Sequence, residues 1–424
     1  MQPPRDLTLP EPGSTTLRAV LGAFLRRNLA DLLRLPLGRF ATPVFDAFSD
    51  VRLHLERLSR TGGAPAVYAA TRRVGASTFI ACLQRELWGE GDVRKLDAWL
   101  TELTATLGVE LARLGELPAG GLLLRQPARR VLSVEGDLLL ELLPGATLGL
   151  QPGRLVVASG GSTIELELAR LPESAPLPGA ALTRPSEPIV EGLYLACADD
   201  NPLASHEAHP EKHGNAVDLG GRSRAEWVRS LRASVELVDA LLPDLGRELR
   251  LVMQALVPVG WHEERHLSAS YAEAIGKAYL TLHPDPMTMV EALIHEFSHN
   301  KLNALFRLDR LLENGFTELV ASPVRPDPRP LHGVLLAVHA FVPVARLYER
   351  LREEGHELAR SPRFEPRFQQ IVAGNHAGTR TLLARARATP VGQGLVDELA
   401  RWDEHFAYAR GTATAEAPVV SLDV

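Results

Sequence analysis

The sequence predicts an α+β protein, mainly α-helical, with a metal site on one helix and a small antiparallel sheet in its N-terminal half. Three observations predict this. Long stretches repeat apolar residues at helical spacing on either side of residues 122–170, where the pattern changes to strand-like alternation. That middle stretch is broken by Gly136-Asp137, Pro144-Gly145 and Pro152-Gly153, the punctuation of short hairpins. Downstream, Ala292-Leu293-Ile294-His295-Glu296-Phe297-Ser298-His299-Asn300 reads H-E-x-x-H inside an apolar helical pattern.

At 424 residues the chain has room for more than one core. The composition shifts divide it into a helical N-terminal region (1–120), a small β region with a proline-rich linker (121–188), a metal-binding catalytic domain (189–411) and a flexible tail (412–424). Hydrophobic content of 45% and charged content of 23% are ordinary for a globular protein. The net charge of -6 argues against a general nucleic-acid binder. No run of ~18 apolar residues predicts a membrane span. The start, Met1-Gln2-Pro3-Pro4-Arg5-Asp6, has no basic segment followed by an apolar one, so a cytoplasmic location is expected. Cys82 and Cys197 form no metal or redox motif and fit a reducing compartment.

Residues 1–13 are proline-rich and are expected to be disordered. Ser14 is placed to cap a helix with the apolar stripe Leu17, Val20, Leu21, Phe24, Leu25. Its basic residues Arg18, Arg26, Arg27 and Arg34 read as a solvated face before they read as a membrane surface. Further helices are expected over 51–58, 76–87 and 93–114, the first two separated at Gly62-Gly63-Ala64-Pro65. Strands are expected at 131–134, 138–143, 154–158 and 164–168. Residues 171–188, with five prolines, read as a linker or strap. Residues 189–196 read as one apolar strand. The stretch from His206 to His213 holds three histidines and reads as a surface or substrate-contact loop before a second metal site. Ser223-Arg224-Ala225-Glu226 is a capping box that opens a helix. Residues 249–258 and 277–283 read as strands.

The second of these strands leads into the H-E-x-x-H helix, where Asp285-Pro286 supplies a cap and a first-turn proline. One helical turn separates His295 from His299, so both imidazoles leave the same face and can grip one metal, with Glu296 beside them. The bland reading is a surface helix with two histidines, but the apolar flanks argue that these groups are half-buried and need partners. A third protein ligand is usual at a catalytic site. Glu318, 19 residues after His299, has the placement used by thermolysin-like zinc peptidases. His332, 33 residues after His299, opens a long helix in which Pro343 is expected to produce a kink.

Leu-Ile-His-Glu-Phe-Ser-His (293–299), Ser-Pro-Val-Arg-Pro-Asp-Pro-Arg-Pro-Leu-His-Gly (322–333), Asp-Asn-Pro-Leu (200–203) and Glu-Ala-His-Pro-Glu-Lys (207–212) together resemble the H-E-x-x-H peptide-modifying proteins of natural-product gene clusters. These are iron- and α-ketoglutarate-dependent peptide β-hydroxylases. The resemblance spans about residues 190–350, and the proline-arginine run is its distinctive part. It implies iron(II), α-ketoglutarate and O2 as cofactor and co-substrates, and a ribosomally made precursor peptide as partner. It implies His295 and His299 as metal ligands, with His332 as the chosen third and Glu296 in the catalytic set. A three-histidine site departs from the usual two-histidine, one-carboxylate arrangement, so Glu296 or Glu318 stays open as a ligand. The distal carboxylate of α-ketoglutarate calls for a guanidinium, and Arg325 and Arg329 are the expected clamp. Two other classes stay open: a zinc metallopeptidase with Glu296 as general base and Glu318 as third ligand, and a binding module whose metal site is structural or lost.

Overall fold

The computed structural model describes residues 3–89, 91–206, 214–320 and 328–407. About 51% of the chain is helical and the strands fall into small separate sheets, which is mixed α+β. The N-terminal helices are α1 (Thr16–Leu33), α2 (Thr42–Arg60), α3 (Ala64–Arg72), α4 (Val74–Trp88) and α5 (Val93–Arg113). Thr15, not Ser14, stands at the cap position of α1.

The β region forms two four-stranded antiparallel sheets rather than one. Its strands are β1 (Leu122–Leu124), β2 (Arg130–Ser133), β3 (Leu138–Leu142), β4 (Thr147–Gln151), β5 (Arg154–Ser159), β6 (Ser162–Glu167), β7 (Ser174–Leu177) and β8 (Ala180–Thr183). One sheet runs β1-β4-β5-β6 and the other β2-β3-β8-β7. The expected linker is therefore a hairpin, β7–β8. Pro176 is tolerated because β7 is an edge strand, where a missing N–H costs no ladder bond.

The site lies in the C-terminal half. Its sheet runs β12-β13-β11-β10-β9, from β9 (Ser186–Val190), β10 (Leu193–Ala196), β11 (Ala255–Trp261), β12 (Ser268–Ala269) and β13 (Lys277–Leu282). β10, β11 and β13 are parallel, and the two edge strands are antiparallel to their neighbours. The expected single strand at 189–196 is thus a hairpin, turned at Gly192 with φ of 78°. The expected strand at 249–258 begins as helix: α6 (Arg224–Leu241) is followed by α7 (Pro243–Val252), started by its proline, and only then by β11. The Ser223–Glu226 capping box of α6 is present in both directions.

From β13 the chain enters α8 (Pro286–Phe306), passes through the short pair β14 (Leu319–Val320) and β15 (Arg329–Pro330), and continues as α9 (Leu331–Glu353), α10 (Phe364–Arg385) and α11 (Pro390–His405). Pro343 lies inside α9. By length and composition α9 could cross a membrane, but 78% of its apolar window is buried inside the protein. It is the central helix of this half, packed on α8, α10 and α11.

The N-terminal segment is the largest departure from expectation. Leu7 and Thr8 have no exposed surface and Leu9 has 7%, and both leucines join the core of the C-terminal half together with Leu17, Val20 and Phe24 of α1. The main-chain N–H groups of Leu7, Thr8 and Leu9 all donate to the carboxylate of Glu398 on α11. Composition could not reveal that partner, some 390 residues away.

At the start of β13, Lys277 is fully buried and donates to Asp199 (2.6 Å) and Asp200 (2.7 Å). Burial alone would pull the ammonium pKa down; the two carboxylates more than reverse this and raise it. Tyr279 donates to the other oxygen of Asp199 (2.7 Å). Asp200 also presses on α4, where a Cβ on Gly75 would come within 2.5 Å of its Oδ2. The cluster therefore joins the site-bearing sheet to the N-terminal helices. Lys277→Ala leaves two largely enclosed carboxylates without their cation and is expected to cost about 3–5 kcal/mol. Urea denaturation checks this; a loss below about 1 kcal/mol would mean that water solvates the carboxylates.

Candidate metal-binding site

The helix that carries the motif is set by its start. Asp285 caps α8 by accepting from the Met287 N–H (3.0 Å), and Pro286 occupies the first turn. Asn300 anchors the far half, accepting from the Gly276 N–H (2.6 Å) at the head of β13. Between these fixed points the rings of His295 and His299 stand 4.3 Å apart, centroid to centroid, edge to face. The Phe341 ring on α9 lies 4.8 Å from that of His295.

Both histidines keep some exposed surface, yet the Nδ1 of each is shut off from solvent with no hydrogen-bond partner. Burial holds the His295 pKa well below its ordinary value, with further lowering by His299, Arg367 and His266. Burial takes that of His299 to about 4. Both rings are therefore neutral at pH 7, the form in which an imidazole lone pair can bind a metal.

Glu296 is 2% exposed and turned to the sheet edge. Ser268 on β12 donates to its Oε1 (2.5 Å) and Ser270 to its Oε2. The same helical turn is held again by Asn300, whose amide donates to the Glu296 carbonyl (2.8 Å) and to Ser270 Oγ (3.2 Å). The carboxylate thus clamps the edge strand to the helix. His266, two residues before Ser268, is 6% exposed and lies close enough to His295 to oppose its protonation. Sequence reasoning missed His266, Ser268 and Ser270. The signal was there as a polar residue at every second position of an extended run, which puts all three on one face.

His332 opens α9 as expected, its N–H donating to the Gly315 carbonyl (2.9 Å). Its ring lies between Phe306 (4.3 Å) and Phe316 (4.4 Å, stacked). Burial, then the neighbouring His299, takes its pKa to about 4. Phe306 is seven residues, about two turns, beyond His299, so His332 flanks the same face of α8. Among the described residues no three His, Cys, Asp or Glu side chains converge as a metal-holding group. The structure thus brings His295 and His299 together and places His332 in an aromatic sandwich alongside.

Glu318 is engaged elsewhere, accepting from Asn314 (3.0 Å) and Arg385 (2.8 Å). Arg329 sits on β15, opposite Val320. Arg325 lies outside the described residues, as do His209 and His213. The His206 carbonyl accepts from the Tyr271 hydroxyl (3.1 Å), next along the chain from Ser270.

No family model and no curated protein matches the chain.

The donor set fits a metal in its chemistry: two neutral, paired imidazoles with orphaned nitrogens, and a third neutral imidazole nearby. Its protonation also sets a pH dependence. Between pH 6.5 and about 4 the unfolded chain takes up protons at His299 and His332 that the folded chain refuses. Each of the two is therefore expected to cost metal-free protein stability as pH falls through that window, by up to about 1.4 kcal/mol per pH unit, while the carboxyls of Glu398 and Glu102, both raised to about 7 by burial, act in the opposite sense. The stability difference between wild type and His299→Leu, from urea midpoints at pH 7 and pH 4.5, isolates the His299 part: wild type should lose ground to the variant as pH falls. A His299 resonance titrating near 6.5 in the folded protein would contradict it.

Proposed function

We propose that the protein is an iron(II)- and α-ketoglutarate-dependent oxygenase that hydroxylates a β-carbon of a ribosomally made precursor peptide in the cytoplasm. The observation that carries the reading is the His295–His299 pair, neutral and one turn apart, beside a glutamate whose carboxylate is already committed. The family resemblance of residues 190–350 supplies the choice of iron and co-substrate.

In this reading His295 and His299 hold the metal, with His332 as the third imidazole and Arg325 and Arg329 as the clamp for the distal carboxylate of α-ketoglutarate. Bound iron supplies the activation of O2 by which α-ketoglutarate is decarboxylated to succinate and CO2 while one oxygen atom enters a peptide C–H bond. The chain's own part is binding, orientation and exclusion of water. Phe341 walls one side of the pair, and Phe306 and Phe316 enclose His332. Glu296 acts as a positioning residue, holding β12 against the helix.

The zinc-peptidase reading draws less support from the same contacts. It needs the Glu296 carboxylate as a free base facing a metal-bound water, and both of its oxygens accept from serines. It also needs Glu318 as a ligand, and that carboxylate is bonded to Arg385.

Aerobic incubation with iron(II), α-ketoglutarate and a ribosomally made precursor peptide is expected to yield succinate and a peptide heavier by one oxygen atom. His295→Ala and His299→Ala should lose bound iron and bring succinate to background. Glu296→Gln should keep its iron and measurable turnover. Stoichiometric zinc, with peptide cleavage that Glu296→Gln abolishes, would overturn the proposal.

A further inference from the structure

Thr8 uses every polar group it has, and each goes to a different helix. Its N–H donates to Glu398 on α11 (2.8 Å). Its carbonyl accepts from Lys301 on α8 (3.4 Å). Its hydroxyl bonds Nδ1 of His339 on α9 (3.0 Å). Thr8, Lys301 and His339 have no exposed surface and Glu398 has 1%. Lys301 is held from its other side by Glu248 of α7 (2.5 Å). A residue in a segment expected to be disordered thus ties together the two helices that carry the candidate ligands.

The other nitrogen of His339, Nε2, is buried and turned toward the Ser298 carbonyl, on the turn of α8 that carries His299. A carbonyl only accepts, so Nε2 carries the proton and Nδ1 accepts from the Thr8 hydroxyl. Thr8 therefore reaches that turn of α8 from two sides, through His339 and through Lys301, two residues beyond His299. The direction of a ligand ring is set by the packing and hydrogen bonds of the element that carries it.

We propose that the N-terminal strap at Leu7–Leu9 is a working part of the site: Thr8, bonded to Lys301 of α8 and His339 of α9, sets the spacing of the two helices and with it the placement of His299 as a metal ligand. Thr8 and His339 are positioning residues in this scheme, and the inference rests on the reading of His295 and His299 as ligands.

The test is anaerobic titration of the full chain with Co(II), following its visible absorption bands, well below the unfolding temperature. Thr8→Val keeps the shape and removes the hydroxyl; it is expected to weaken Co(II) binding about 10–100-fold and to shift the bands. Thr8→Ser should restore both. A purely structural role would lower the urea midpoint of Thr8→Val and leave its Co(II) affinity and spectrum at wild-type values, and that result overturns the inference. If Thr8→Val fails to fold, Glu398→Gln, which loosens only the strap's main-chain anchor, reads the same two quantities. Wild-type protein that takes up no Co(II) removes the ligand reading and this inference together; wild-type binding with an unaffected Thr8→Val removes the inference alone.

Discussion

A single buried carboxylate closes the C-terminal half. Glu398 takes three consecutive main-chain N–H groups, and with them it draws the first residues of the chain into a core made mostly of helices. An unpaired peptide N–H in that setting would cost about 1–3 kcal/mol, so the segment can be buried only because one acceptor serves it. Burial, opposed by those bonds and by Lys301, pushes the Glu398 pKa up to about 7. The packing of α8 on α9 depends on the same knot, since Thr8 lies between them.

The rest of the half repeats this logic at smaller scale. Three buried ions have a counter-ion on a different element: Lys277 of β13 with Asp199 and Asp200, Lys301 of α8 with Glu248 of α7, Glu291 of α8 with Arg367 of α10. Pairs of this kind add little net stability, but breaking one is expensive, so they specify one arrangement of helices and reject others. The His295–His299 turn sits inside that frame, with Glu291 one turn before it and Asn300 just after it. Its rings have little freedom to choose their direction, which is what a metal ligand requires.

What was legible in the sequence was what local chemistry decides. Asp285-Pro286 starts α8 and the Ser223–Glu226 box starts α6, because a cap and its partner lie within one turn. The H-E-x-x-H spacing put two imidazoles on one face for the same reason. What was not legible depends on partners far along the chain. Residues 7–9 look like a tail until Glu398 is placed beside them. The proline-rich run at 171–188 looks like a linker until β3 is there to pair with β8. Arg247, Leu249 and Val252 fit either a strand or a helix, and only Pro243 starting a helical turn decides it. Ser268 and Ser270 take their meaning from Glu296, which belongs to the next helix.

Charge balance carries the argument about chemistry one step further. The acidic side chains that flank the His pair on α8 are already committed: Glu296 to Ser268 and Ser270, Glu291 to Tyr348 and Arg367. Arg367 adds positive charge within reach of His295. A divalent cation on neutral imidazoles in such a pocket carries nearly its full charge into a poorly solvated place, which is unfavourable without an anion beside it. A site of this kind favours a co-ligand that brings its own negative charge. A keto acid bound through its carboxylate does so; a neutral peptide carbonyl does not. On the proposed reading, surroundings that make Glu296 a poor base would suit an anionic co-substrate, because the carboxylates beside the His pair are already spent.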